Sequence, residues 1–206
     1  NRTIAAFDFD GTITKRDTLV PFLRRYGLWN FVQPSIETLR SRRQRGWRDT
    51  LKENILRQLF LGFPVDRLEK DGQDYAASLP NLYRQEVVKY IQNHRDKGHE
   101  LVLVTASLGC YVRPVAESLG FDHVIAVELA SMSGRLTGEI SGFNVRGAEK
   151  ARRLRQLIGL EKVDLWAYGN SSGDKEMTTG SKGALYLFAM TGLMMVQYLF
   201  HVEKNI

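Results

Sequence analysis

Asp8-Phe9-Asp10-Gly11-Thr12-Ile13-Thr14, the stretch DFDGTIT, follows directly on the apolar run Ile4-Ala5-Ala6-Phe7. The run reads as a buried strand over Thr3–Phe9, and the stretch sets two carboxylates where that strand gives way to a turn. Residues two apart on a strand share a face, so Asp8 and Asp10 can meet the same substrate atom or metal ion. Gly11 lets the backbone turn sharply beside them. A carboxylate is a weak nucleophile, but beside a hard cation it can attack phosphorus. A second carboxyl can then move a proton to and from the oxygen that leaves or enters. The plain alternative is a solvated turn, yet two acids flanked by Phe7 and Phe9 on a buried strand need a reason to be there.

Outward from this stretch, apolar runs alternate with helical patterns. Glu100–Thr105, Val124–Glu128, Val163–Tyr168 and Leu185–Ala189 read as further buried strands. Their runs are continuous rather than alternating, as parallel strands covered on both faces should be. Helices over Tyr111–Leu119 and Ala148–Ile158 stop at Gly120 and Gly159. Strand-helix alternation implies an α/β fold with a parallel sheet, whose ligands lie at the carboxyl ends of strands. Asp8, Thr105 and Gly169-Asn170 all fall at such ends.

Between the first and second strands no strand pattern occurs. Leu19, Phe22, Leu23 and Tyr26 form one helical stripe, Leu51, Ile55 and Leu59 a second, and Tyr83, Val87, Tyr90, Ile91 and His94 a third. Breaks are expected at Gly62-Phe63-Pro64 and Leu79-Pro80-Asn81. Residues 17–95 are therefore expected to form a helical cap inserted after the first strand, and 1–16 with 96–206 the catalytic core. The glycine-rich Ser131–Gly142 reads as a β-hairpin or extended excursion.

The net charge of +6 favours anionic partners in general. It is too little on its own to argue for nucleic acid, and none is expected. A single cysteine, Cys110, excludes an internal disulfide framework and suggests a reducing compartment. No secretory signal pattern opens the sequence, so a cytoplasmic location is expected. The four histidines show no metal-ligand spacing. Ala184–Phe200 is mostly apolar but interrupted by Thr191, Gly192 and Gln197, and is shorter than the roughly 20 residues a spanning helix needs. It reads as a last core strand, Leu185–Ala189, and a packed tail, with a membrane or partner contact as the lesser alternative. Oligomeric state is left open.

Taken together, DFDGTIT at 8–14, LVLVTAS at 101–107, GAEKARRL at 147–154 and YGNSSGDKEM at 168–177 resemble the haloacid dehalogenase superfamily of phosphohydrolases, most of all its phosphoserine-phosphatase-like branch. GRLTGEISG at 134–142 adds to the resemblance. It implies a three-layer Rossmann-like domain with strand order 5-4-1-2-3. It also implies magnesium-dependent hydrolysis of a phosphate monoester, with a small phosphorylated molecule as substrate.

Residue by residue, the resemblance makes Asp8 the nucleophile and Asp10 the general acid and base, with the Asp10 carbonyl on Mg²⁺. Thr105 would hydrogen-bond a phosphate oxygen, helped by backbone N–H groups of a turn at Ala106-Ser107 and by Gly11. Ser107 is the alternative hydroxyl donor. Lys150 would offset the charge on Asp8 and the phosphoryl group, with Lys175 and Lys182 as weaker candidates. Against Lys150 stands its place in a basic run with Arg152 and Arg153, which could be a solvated helix face. Asp8, Asp10, Asn170 and Asp174 would hold the metal. Asn170 departs from the more frequent Asp, leaving three readings: a working site with weaker metal binding, an altered metal preference, or a degenerate binder. Asp17, near the hinge into the cap, is a candidate substrate contact. The arginines of RSRRQRGWR (40–48) read as a solvated face or a contact to a polyanion. A phosphatase acting on a phospholipid headgroup and a non-catalytic phosphate-binding relative are the rival functions.

Overall fold

The structure, a computed structural model, describes residues 2–27, 47–159, 161–169, 185–190 and 193–201; for residues 47, 48, 185–190 and 193–201 the backbone alone is described. Strand β1 (Arg2–Phe7) lies at the centre of a six-stranded sheet, between β2 (Glu100–Leu108) and β6 (Val163–Tyr168), and is parallel to both. β3 (His123–Val127) lies parallel outside β2. Ile4, Ala5, Ala6 and Phe7 have no exposed surface, and Leu101–Val104 are buried alike. Layers on both faces of the sheet leave no side of these strands for a polar residue, which explains the unbroken apolar runs.

β7 (Leu185–Met190) and β8 (Leu193–His201) complete the sheet as an antiparallel hairpin, giving the order β3-β2-β1-β6-β8-β7. This corrects the expected order 5-4-1-2-3. The strand at Leu185 is displaced outward by one place, and β8 pairs antiparallel with β6 in its stead. Only Thr191-Gly192 separates the two strands. Two residues suffice for a hairpin but not for the crossover that parallel neighbours require. Among the described residues no helix is long and apolar enough to cross a membrane.

Between β1 and β2 lie α1 (Leu19–Arg24), α2 (Trp47–Phe60), α3 (Val65–Ala77) and α4 (Gln85–Asp96). Gly62, at φ 76°, turns the chain between α2 and α3. Pro80–Leu82 forms a single tight turn ahead of α4. The outgoing and returning connectors of this insertion run side by side. Thr14 bridges Tyr83, Lys15 N donates to Leu82 O at 2.9 Å, and Arg84 N donates to Ile13 O at 2.8 Å.

The expected hairpin at Ser131–Gly142 is β4 (Leu129–Met132) with β5 (Arg135–Ile140). It is tied to the insertion, since Gly62 N donates to Leu136 O and Leu136 N to Phe63 O, both at 2.8 Å. Rings of Phe22, Tyr26, Phe60 and Phe63 from the insertion pack edge-on or tilted, and Phe22 and Tyr75 carry the cluster to Tyr111. Tyr111 belongs to α5 (Gly109–Leu119), which ends at Gly120 in the left-handed conformation, as the sequence predicts. α6 (Ala148–Ile158) precedes β6.

Candidate active site

Asp8 stands one residue beyond β1, and its N–H extends the ladder to Tyr168 O at 2.8 Å. The chain then turns through Phe9–Ile13, with Gly11 at φ 76° and Thr14 N closing the turn on Phe9 O at 3.0 Å. Asp8 and Asp10 are both in extended backbone conformations around the buried Phe9. Both carboxyl groups therefore lie at the same end of the sheet.

Asp8 is buried, with 6% of its surface exposed. Its Oδ1 accepts from Lys150 Nζ at 2.5 Å, and its Oδ2 from Thr12 Oγ1 at 3.1 Å. Lys150 sits in the first turn of α6 and is buried to the same degree. Its neighbours do the opposite. Arg152 and Arg153 both fold onto Glu149, at 2.6–2.8 Å, and hold that carboxyl down at about 2. The basic run thus divides: two arginines form a surface clamp, and Lys150 alone turns inward. A buried ion pair is costly to desolvate and tolerable only as a pair.

Asp10 is held differently. Its Oδ1 accepts from Thr18 N at 2.7 Å and Thr18 Oγ1 at 2.6 Å, and its Oδ2 from Ser107 Oγ at 2.5 Å. Thr18 is itself braced. Its hydroxyl lies 3.1 Å from Tyr111 Oη, and its carbonyl accepts from Tyr75 Oη at 2.9 Å. Burial pushes the Asp10 carboxyl above the usual carboxylate range, and the donors from Ser107 and Thr18 oppose that only in part. The two aspartates are therefore unlike: one is charge-paired, the other bonded by neutral donors and biased toward its protonated form.

Thr105 does not end its strand, contrary to the sequence reading. β2 runs on to Leu108, with a register shift against β3 between Val104 and Leu108. Ala106-Ser107 is consequently part of the strand and not a turn. Thr105 is buried, and its Oγ1 accepts from Ser107 N at 3.0 Å. Of the two hydroxyls it is Ser107 that touches Asp10. Asp17 is exposed, and its carboxylate accepts from Val20 N at 2.9 Å, so it caps the start of α1. Asn170, Asp174, Lys175, Lys182 and the arginines at 40–45 lie outside the described residues.

Sequence reasoning misses Lys52 on α2. Its Nζ donates to Ala106 O at 2.5 Å and to Asn144 Oδ1 at 2.7 Å, and Asn144 Nδ2 donates to Asp49 Oδ1 at 2.6 Å. Lys52 reaches Ala106 and Asn144 across 54 and 92 residues, which no local pattern discloses. Thr18, beside Asp17 near the hinge, is legible as a neighbour of the site, but its bonds to Asp10 are not foreseen. They join residues only eight apart, through a fold of the chain that the residue types do not announce.

As oxygen donors at a strand end, Asp8 and the Asp10 carbonyl suit a hard cation such as Mg²⁺. Among the described residues no group of three metal-ligating side chains gathers there. Asn170 and Asp174, the further donors that the resemblance implies, lie outside the described residues.

A family-wide sequence model, haloacid dehalogenase-like hydrolase, matches residues 5–178, and the chain belongs to that family. It is a phosphatase of this family. Protein CicA of Caulobacter vibrioides is 38% identical over 182 residues, covering 84% of this chain and 81% of that protein. Phosphoserine phosphatase of Methanocaldococcus jannaschii is 22% identical over 182 residues, covering 85% and 81%. Among solved structures, a protein of unknown function from Bordetella pertussis Tohama I superposes with a TM-score of 0.67 at 20% identity over 86% of each chain. Phosphoserine phosphatase in apo form superposes with 0.62 at 19% identity, over 86% of this chain and 82% of that one. At these identities the structural likeness speaks for the fold alone.

Proposed function

We propose that the chain hydrolyses a small phosphate monoester through an aspartyl-phosphate on Asp8. The observation that carries this reading is the unlike pair of aspartates: Asp8 bonded to Lys150, Asp10 bonded to Ser107 and Thr18. Asp8 attacks phosphorus in line. Asp10, kept toward its protonated form by burial, delivers its proton to the leaving alkoxide. The same carboxylate then takes a proton from water as the aspartyl-phosphate is cleaved. Lys150 offsets the anionic charge that gathers when Asp8 meets a phosphoryl group, a contribution of several kcal/mol when the donor is fixed and shielded from water.

Asp8, the Asp10 carbonyl, Asn170 and Asp174 would hold Mg²⁺, which supplies charge neutralisation at the phosphate oxygens. Thr105, Ala106, Ser107 and Gly11 line the phosphate side by their position at the same end of the sheet. Residues 17–95 act as a cap over a core of 1–16 and 96–206. The paired connectors at Thr14–Lys15 and Leu82–Arg84 support a hinge there. The small number of cysteines fits a cytoplasmic enzyme.

The test is a screen of phosphate esters with purified protein and Mg²⁺, followed by acid quench and mass spectrometry of the peptide containing Asp8. Phosphate release with a phosphorylated Asp8 supports the reading. Turnover with no such adduct, in wild type and in Asp10→Asn, would overturn the covalent route.

A further inference from the structure

Asp10 draws its two hydroxyl donors from distant parts of the chain, Thr18 from the start of the insertion and Ser107 from β2. A hydroxyl has one proton to give. Thr18 Oγ1 gives its proton to Oδ1 at 2.6 Å, and Ser107 Oγ gives its own to Oδ2 at 2.5 Å. What the two hydroxyl oxygens keep is the capacity to accept. Tyr111, on the first turn of α5, has no exposed surface, and its Oη lies between them. It is 3.1 Å from Thr18 Oγ1 and hydrogen-bonds the Ser107 side chain as well. The Tyr111 proton is therefore the one that serves the pair. Asp10, Thr18, Tyr111 and Ser107 close a ring around the carboxyl group. The ring is mounted on packed parts. Centroids of the Tyr111 and Phe22 rings are 4.9 Å apart, and the Tyr75 ring stands edge-on at 5.2 Å. Tyr75, on α3, adds a second hold, since its hydroxyl donates to Thr18 O at 2.9 Å. With Thr18 N also on Oδ1, the Asp10 carboxyl cannot rotate without giving up a buried hydrogen bond.

We propose that Tyr111 and Tyr75 are positioning residues for the general acid: acting through Thr18 and Ser107, they hold the Asp10 carboxyl in the orientation from which its proton reaches the leaving oxygen. This rests on the phosphatase reading above. An acid matters in proportion to the basicity of the oxygen that departs. A strongly basic oxygen leaves only as the proton arrives, whereas a nitrophenolate leaves largely unaided. Misaiming Asp10 therefore penalises esters unequally, most of all those with basic leaving groups. A general loosening of the fold penalises them alike.

The experiment measures kcat/KM with Mg²⁺ for wild type, Tyr111→Phe and Tyr75→Phe on three esters: p-nitrophenyl, phenyl and p-methoxyphenyl phosphate, whose leaving oxygens rise in basicity in that order. kcat/KM runs only as far as departure of the alcohol, so it isolates the acid step from the later attack of water. A displaced catalytic group can cost about 10²-fold, so Tyr111→Phe should lose about 10–100-fold on the methoxyphenyl ester and at most about threefold on the nitrophenyl ester. Tyr75→Phe should show the same split to a smaller extent. Equal losses on all three esters would show that the two hydroxyls only support the fold, and would overturn the proposal, as would no loss on any of them. Circular dichroism and thermal melts establish that each variant is folded. If Tyr111→Phe does not fold, Tyr75→Phe decides, and a uniform or absent effect there sinks the idea. A wild type inert on all three esters would instead be a failure of the phosphatase reading.

Discussion

Lys150 Nζ and Asp8 Oδ1 lie 2.5 Å apart, each side chain less than a tenth exposed, although 142 residues separate them in sequence. The pair joins the first strand of the sheet to α6, so it bears on stability and on chemistry together. Breaking such a pair by removing one partner typically costs about 3–5 kcal/mol. Lys150→Met should lower the thermal midpoint and reduce turnover by about 10²–10³-fold. Asp8→Asn should abolish at least about 10³-fold of turnover. The double variant should be more stable than the sum of the two single losses, because it leaves no lone buried charge. Strict additivity in thermal melts would show that the two groups do not act as a pair.

Of the two hydroxyls on β2, Ser107 and not Thr105 bonds Asp10. Its donation lowers the Asp10 carboxyl and so partly offsets burial. Ser107→Ala removes that donor, and the Asp10 carboxyl should rise further. If protonated Asp10 is the acid, the alkaline limb of the kcat/KM profile that belongs to it should move to higher pH. Thr105→Val should leave that limb in place. An unshifted profile in Ser107→Ala would remove Ser107 from the role of tuning the acid.

Gly72 lies inside α3, where alanine would ordinarily favour the helix by about 1 kcal/mol. Here the helix packs so closely on α5 that a Cβ at this position would stand 2.4 Å from the carbonyl oxygen of Cys110. Backbone cannot yield as a flexible side chain can. Gly72→Ala should therefore destabilise the protein by about 1–3 kcal/mol, the usual range for overpacking. A chemical denaturation midpoint at or above wild type would mean that α3 and α5 stand further apart.

His94 is buried beneath Phe7 and Trp166, with its Nδ1 2.7 Å from His99 Nδ1 and its Nε2 2.7 Å from Tyr168 Oη. Burial first, then the nearby His99 and Lys97, lower the His94 imidazole to about 4. The ordinary value in an unfolded chain is about 6.5. The unfolded chain thus takes up a proton at a pH where the folded one does not. The stability tied to neutral His94 is present in full above about 6.5 and is lost as the pH falls toward about 4, by on the order of 3 kcal/mol at most. Thermal midpoints measured from pH 7 to pH 4.5 should fall, and His94→Gln should flatten that slope. A slope unchanged in His94→Gln would place the acid sensitivity elsewhere.

Much of the architecture is legible in the order of residues. Strands buried on both faces must be apolar without alternation, and such runs locate β1, β2, β3 and β6 to within a few residues. Gly120 marks a helix end because only a residue without Cβ takes the left-handed turn cheaply. The inward turn of Lys150 is less legible, because a run of Lys, Arg and Arg looks alike on paper. What separates them is Glu149, which draws both arginines outward. The place of β8 beside β6 escapes a reading by hydropathy, because an apolar stretch announces burial but not direction. Thr191-Gly192, too short for a crossover, is the signal that sets it. Lys52 leaves no trace, since its partners Ala106 and Asn144 are close only in the folded chain.

The hairpin at the end of the sheet also decides which strand is left at its margin. Among the described residues, β8 covers the outer side of β6, and β7 is hydrogen-bonded on one side alone. β7 reads Leu-Tyr-Leu-Phe-Ala-Met, with no charge, no proline and no glycine. Sheets commonly guard a bare margin with lysine, proline or a bulge, and an unguarded one offers its N–H and C=O groups to any extended chain that arrives. The short spacing between β7 and β8 that sets their antiparallel pairing therefore moves the adhesive border of the described sheet to a segment whose own sequence carries no charge to repel a newcomer.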